Sequence, residues 1–293
     1  MPERPGLLPY LAVAAGIAAF SAMDALMKSA SIQAGVYAAL LLRCVLGAAL
    51  MLPIWLKLVR KRPIAAAMRV HVQRSVVVAI MALLFFYGLV RVPIAEAIAL
   101  SFIAPLIALY FAALILGETI RPRALFASLM GLAGVAVIAA ARFGEGRFEP
   151  DAVRGVAAVL TSAVLYALNL VLQRRQAQLA SPIEIAFVQN LFVSLTLLIG
   201  APWFLAWPEA AALKDIAIGA VLANMALLVL SWGYAREEAQ ALIPIEYTGF
   251  LWAALFGWLW FDERLGLPTV AGAILIVIGC WIAARRHTEQ TAL

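Results

Sequence analysis

Apolar residues in this chain run in blocks of about twenty, the length at which an α-helix crosses the hydrocarbon core of a bilayer. The blocks lie at roughly 7–27, 34–56, 73–91, 94–116, 123–141, 153–173, 183–206, 215–235, 239–261 and 267–284. Each is a largely apolar run, as expected of a helix solvated by lipid. Polar residues gather in the breaks between blocks. Most breaks are short, so sequential helices are expected to be antiparallel; the longest run from Lys57 to Val72 and from Arg142 to Ala152. The stretch 92–139 is typical: two apolar arms joined by a charged turn at Gly117, Glu118, Thr119, Ile120, Arg121, Pro122 and Arg123.

Composition removes the alternatives. The chain is 66% hydrophobic and 13% charged, which does not fit a water-soluble globule. The alternating ten-residue strands of an outer-membrane barrel are missing. The predicted class is an all-α polytopic membrane protein. Cys44 and Cys280 fall inside apolar blocks and imply no disulfide framework. His71 and His287 fall in charged connecting or tail segments, without ligand partners nearby in sequence, so neither a metal site nor a cofactor is expected. The opening MPERPG carries no convincing cleavage site, and the first block is expected to be retained as a span. The net charge of +6 reflects basic residues beside membrane spans and gives no reason to expect nucleic-acid binding.

Lysine and arginine are unevenly distributed. With the N-terminus inside, 14 flank the inner face and 7 the outer, while Arg43 lies within a span. Both termini are therefore expected in the cytoplasm of a bacterial inner-membrane protein. Trp55, Trp203, Trp207, Trp260 and Trp281 fall near block ends, where amphipathic rings suit the headgroup region. Gly131, Gly134, Gly272 and Gly279 have the small-residue spacing that lets helices approach closely.

A shift of 145 residues superposes the polar positions of the two halves. Glu118 falls on Glu263, Gly134 on Gly279, Asp24 on Asn169 and Lys28 on Gln173; Tyr87-Gly88 falls on Trp232-Gly233 and Arg91 on Arg236. The halves, 1–146 and 147–293, each hold five blocks. An odd number makes the second half enter the membrane upside down. Inverted repeats supply two conformations of similar energy, open to opposite sides, with substrate bound between them near the midplane. That is the logic of a secondary transporter working by alternating access.

On these features the chain resembles the EamA-type branch of the drug/metabolite transporter superfamily over essentially its full length. The residues concerned are Ala95–Pro105, Leu116-Gly117-Glu118, Gly131, Gly134 and Arg43. The second half departs from the pattern, with Phe250 opposite Pro105 and Phe261-Asp262-Glu263 opposite Leu-Gly-Glu. Within the branch it is most similar to the YddG-type exporters of amino acids, aromatic ones included. The resemblance implies a basket-like ten-helix fold, a central cavity between spans 1, 3, 4, 6, 8 and 9, outward transport and no ATP hydrolysis. Consistent with the last point, the sequence has no glycine-rich phosphate loop with lysine.

Ionisable groups inside spans are costly and usually face a cavity or a partner. Asp24, four residues before Lys28 on one helix face, and Arg43 form either a gating or substrate-carboxylate pair or a structural ion pair. Glu246, behind Pro244, is a candidate for an ammonium site or a coupling proton. Tyr87, Ser101, Tyr166, Asn169, Asn190, Asn224, Trp232 and Tyr247 complete the substrate-binding or gating set, with Tyr110 and Gln189 as further polar candidates. By depth, Asp24, Arg43, Tyr87 and Ser101 belong to the outer half and Asn169, Asn190, Trp232 and Glu246 to the inner half, which predicts opposite gates. Glu118 and Glu263 are expected to cap the helices that follow them. The expected partners are a small-molecule substrate, an amino acid or similar metabolite, and the surrounding lipid. Proton coupling and facilitated diffusion both stay open. Uptake of a nucleotide-derived or drug-like compound is the alternative within transport; a membrane enzyme or lipid-handling protein is the alternative outside it, and neither histidine is placed for one.

Overall fold

The computed structural model describes residues 7–59, 63–116, 122–144, 150–177, 179–234, 236 and 248–284, and all regular structure among them is helical. Among the described residues twelve helices follow in order: α1 Leu7–Ala34, α2 Val36–Leu58, α3 Ala65–Leu89, α4 Ile94–Ser101, α5 Ala104–Leu116, α6 Pro122–Gly144, α7 Pro150–Ala177, α8 Pro182–Leu198, α9 Ala201–Phe204, α10 Ala210–Tyr234, α11 Thr248–Phe261 and α12 Leu267–Ala284. Five are long and apolar enough to cross a membrane on their own: α1, α2, α3, most of α7 and α10. The other helices carry shorter apolar stretches, such as Leu129–Ile138 of α6, Pro182–Leu198 and Thr248–Phe261, and the predicted span 239–261 is described only from Thr248 onward.

Local chemistry explains the breaks. Gly35 joins α1 to α2 at φ +80°, a left-handed conformation that only glycine adopts freely. α4 and α5 are one predicted span broken at Phe102 and Ile103. Pro105 has no N–H to donate to the carbonyl of Ser101, so the helical hydrogen-bond ladder is interrupted there. α8 opens with Ser181-Pro182-Ile183-Glu184: the Ser181 hydroxyl accepts from the Glu184 N–H at 3.3 Å, and Pro182 occupies the first turn, where a missing donor costs nothing.

One boundary differs from the sequence expectation in a way that matters. α3 begins at Ala65 and not near residue 73. Charged residues ended the apolar block, but the helix continues upstream because His71 and Arg74 have partners inside the protein.

The halves interlock. α1 packs antiparallel along α10, and its repeat counterpart α7 packs antiparallel along α3, so each half's first helix lies on the other half's third span. α6 crosses α12 and α2 crosses α8, pairing equivalent helices with each other. Glycine lets α6 and α12 cross closely: a Cβ at Gly134 would sit 2.5 Å from the Gly272 carbonyl oxygen and 2.6 Å from Ile276 Cγ1. The main core runs through α1–α8 and α10–α12 around Met27, Leu40, Leu41, Leu89, Leu100, Ile138, Val159, Ile216 and Ile276. This is a polytopic α-helical membrane protein built as two inverted five-helix repeats. The face where α1 begins is called proximal below, and the opposite face distal.

Candidate functional site

Polar side chains gather in three layers. At the distal face the Lys28 ammonium, near the end of α1, donates to the Val92 carbonyl at 2.8 Å and pairs with the Glu263 carboxylate from the α11–α12 turn. Glu263 also accepts from the backbone N–H of Ile94, the first residue of α4, at 2.7 Å. Both side chains are largely buried, at 7% and 15% exposure, and Phe261 covers the ammonium at 5.1 Å. The cluster ties α1, the α3–α4 connection and the second half's last turn together. Beside it Ser29 donates to Asp215 of α10 at 2.7 Å. Glu263 is therefore a capping residue, as expected, but it caps α4 and not the helix that follows it. Lys28, which shares a helix face with Asp24, pairs with Glu263. Glu118 lies outside the described residues.

The proximal layer was not anticipated. Arg74 of α3 is buried and donates to three amide oxygens of α7: Asn169 at 2.8 Å, Gln173 at 3.2 Å and Gln176. His71, one turn earlier and fully buried, contacts Gln176 through Nδ1 at 2.5 Å and the Glu184 carboxylate of α8 through Nε2 at 3.1 Å. The expectation that His71 sits in a loop without partners is thus corrected; His287 lies outside the described residues. The missed signal was spacing. His71 and Arg74 are three apart, as are Gln173 and Gln176, so each pair shares a helix face once α3 is extended upstream.

Between these layers lie Asp24 and Arg43. Counting along the helices, Asp24 is roughly 15 Å from the distal end of α1 and Arg43 roughly 10 Å into α2. The two charges are close enough to interact electrostatically, yet among the described residues no ion pair or hydrogen bond joins them. Arg43 Nη2 reaches the Cys44 sulfur at 3.6 Å, while its buried Nε has no hydrogen-bond partner.

Other candidates are already engaged. Asn190 of α8 donates to Asn224 of α10 at 3.0 Å, and Asn224 donates to the Gly47 carbonyl of α2 at 3.2 Å, which ties three helices together. Asn169 holds Arg74. Ser101, at the α4–α5 break, donates back to Ala97 at 2.8 Å. Tyr166 packs against the Ala104, Ala163 and Ala167 cluster, near enough to Arg74 for electrostatic interaction. The Gln189 side-chain oxygen is buried without a partner. Glu246 and Tyr247 lie outside the described residues.

The aromatic counterparts show the repeat in atomic detail. The Arg91 guanidinium stacks on Tyr87 at 3.5 Å and donates to the Tyr87 carbonyl at 2.8 Å. Arg236 stacks on Trp232 at 3.9 Å and donates to the Trp232 carbonyl at 3.1 Å. The same i, i+4 cation–π unit thus closes α3 at the distal face and α10 at the proximal face. Comparison with known proteins gives the architecture its family. The sequence profile of the EamA-like transporter family matches residues 7–140 and again 153–285, one copy per half. The chain belongs to the EamA-like transporter family.

Its relatives bear transporter names. A pseudopaline exporter of Pseudomonas aeruginosa is 30% identical over 276 residues, covering 91% of this chain and 92% of its own. An aromatic amino acid exporter of Ancylobacter novellus is 35% identical over 103 residues, 35% of this chain and 36% of its own. An S-adenosylmethionine uptake transporter of Rickettsia prowazekii is 23% identical over 214 residues, covering 71% and 69%. A solved crystal structure, 22% identical with a TM-score of 0.64, covers 94% of this chain and 96% of its own and shares the fold. This member of the EamA-like family is an integral membrane transporter of small molecules.

Proposed function

We propose that the chain exports a small zwitterionic metabolite of amino-acid type by alternating access, with its proximal face toward the cytoplasm. The observation that carries this reading is the unjoined pair at mid-depth. A carboxylate and a guanidinium attract one another and hold back from direct contact, and the buried Nε of Arg43 has no acceptor. A substrate carboxylate supplies that acceptor and a substrate ammonium supplies a partner for Asp24, so one amino-acid group completes both. Leaving a buried charged donor unsatisfied is costly, and binding a complementary anion removes that cost. The relatives named as exporters support the outward direction, and the excess of Lys and Arg at the proximal face supports the orientation.

Counterflow of labelled amino acids in proteoliposomes tests the proposal. Wild-type protein is expected to exchange at least one amino acid and to reject both its amide and its decarboxylated amine. Arg43→Gln and Asp24→Asn should each lower exchange by about tenfold or more, since a hydrogen bond to a charged group contributes about 1.5–3 kcal/mol. Equal exchange of the amide would rule out the carboxylate site. Exchange unaltered in both variants would rule out the pair as the substrate site.

A further inference from the structure

The proximal layer contains a hydrogen-bond chain whose polarity is fixed from one end. Arg74 is a donor only and does not deprotonate, so the Gln176 atom it contacts is the amide oxygen. The Gln176 NH2 group then faces His71 Nδ1, which must accept. A neutral imidazole accepting at Nδ1 carries its proton on Nε2, and that proton is directed at the Glu184 carboxylate. Every group is satisfied in this one arrangement, which spans α3, α7 and α8.

A proton added to His71 goes to Nδ1 and points at an NH2 group. The conflict is relieved by turning the Gln176 amide over, but its NH2 would then face the Arg74 guanidinium, donor against donor. Protonation of His71 and the Arg74–Gln176 hydrogen bond are therefore mutually exclusive. The other groups around the chain do not relieve the conflict. Asn169 and Gln173 already accept from Arg74, Tyr166 lies beside it, and Lys57, Arg69 and Arg175 of α2, α3 and α7 are exposed.

We propose that His71 is a proton-binding site that opens the proximal latch: its protonation breaks the Arg74–Gln176 contact and loosens α3 from α7 at the proximal face. The transporter reading gives the switch its purpose, since a proton taken up at this face would be coupled to opening toward it. A proton entering the ring forms one N–H bond at Nδ1 as one O–H bond of hydronium breaks, leaving water; the chain supplies no other reactant.

Distances between spin labels at Val72→Cys and Arg175→Cys, measured by double electron–electron resonance, report the separation of α3 and α7. The full chain in lipid nanodiscs is used, with Cys44→Ala and Cys280→Ala to remove other thiols. Lowering the pH from about 8 to about 5.5, across the range where histidine ordinarily titrates, should cause loss of the short-distance population. His71→Gln, which can accept and donate in the same places without titrating, should keep the short distance at both pH values. Gln176→Met, which removes the relay, should make the distribution independent of pH. A wild-type distribution that ignores pH overturns the proposal, as does a pH response that persists in either variant. The distances are read without substrate, so a failure of amino-acid counterflow leaves this result intact and counts only against the substrate reading.

Discussion

Gly134 and Gly272 show how little room a residue can have in this fold. Their helices touch backbone to backbone, and a methyl group at Gly134 has no free space between the Gly272 carbonyl and Ile276. Gly134→Ala is expected to lower stability by about 1–3 kcal/mol, the usual range for an overpacked contact. Gly266 lies in the exposed α11–α12 turn, where the nearest atom to an added Cβ is 3.6 Å away. Gly266→Ala should therefore leave stability unchanged. Thermal unfolding in one detergent, read by tryptophan fluorescence, separates the two; equal melting temperatures for both variants would contradict the close-approach account. The same scale explains why Asn190 and Asn224 look like site residues in a sequence and act as ties in the structure. An amide in a span needs partners, and these two find them in each other and in the backbone of α2.

Among elements, the distal latch is the clearest case of several segments held by one charge pair. Removing one partner of a buried ion pair leaves the other uncompensated, at a cost of about 3–5 kcal/mol. Lys28→Met and Glu263→Met should each be strongly destabilising, and the double variant should be much less so than their sum. The comparison is a double-mutant cycle on thermal unfolding; strict additivity would mean that the pair is not energetically coupled. These elements also show what could be read in advance. Ten apolar blocks, the inverted repeat and the Tyr87/Trp232 correspondence were all visible as length or fixed offset, whereas the break of the fourth block at Phe102 and Ile103 was not. The latches were not. An ion pair between residues 28 and 263, or a network joining 71, 74, 169, 173, 176 and 184, depends on which helices pack together, and no local pattern carries that. His71 was misplaced for a further reason: hydropathy ends a helix at its first charges, whereas buried partners extend it.

At the scale of the whole molecule, the two faces are related by the repeat but closed by different chemistry. Lys28 of α1 corresponds to Gln173 of α7, so the distal side is held by a charge pair and the proximal side by a guanidinium among neutral amides. An exact duplicate would treat both sides alike. The exchange of partners has another consequence, for the life of the chain before it transports anything. Gly16 of α1 packs on Leu230 of α10, more than two hundred residues downstream. At roughly 5–20 residues per second on the ribosome, the first helix waits about 10–40 s in the bilayer before its partner is synthesised. Neither half can complete its own packing, so fragments 1–146 and 147–293 made separately should be degraded, whereas co-expression should yield a complex that copurifies through a tag on one fragment. A stable, folded N-terminal fragment on its own would be incompatible with the interlocked arrangement. Newborn α1 is thus a client awaiting rescue, and whatever shields its packing face around Gly16 during those seconds decides how much of the protein ever reaches maturity.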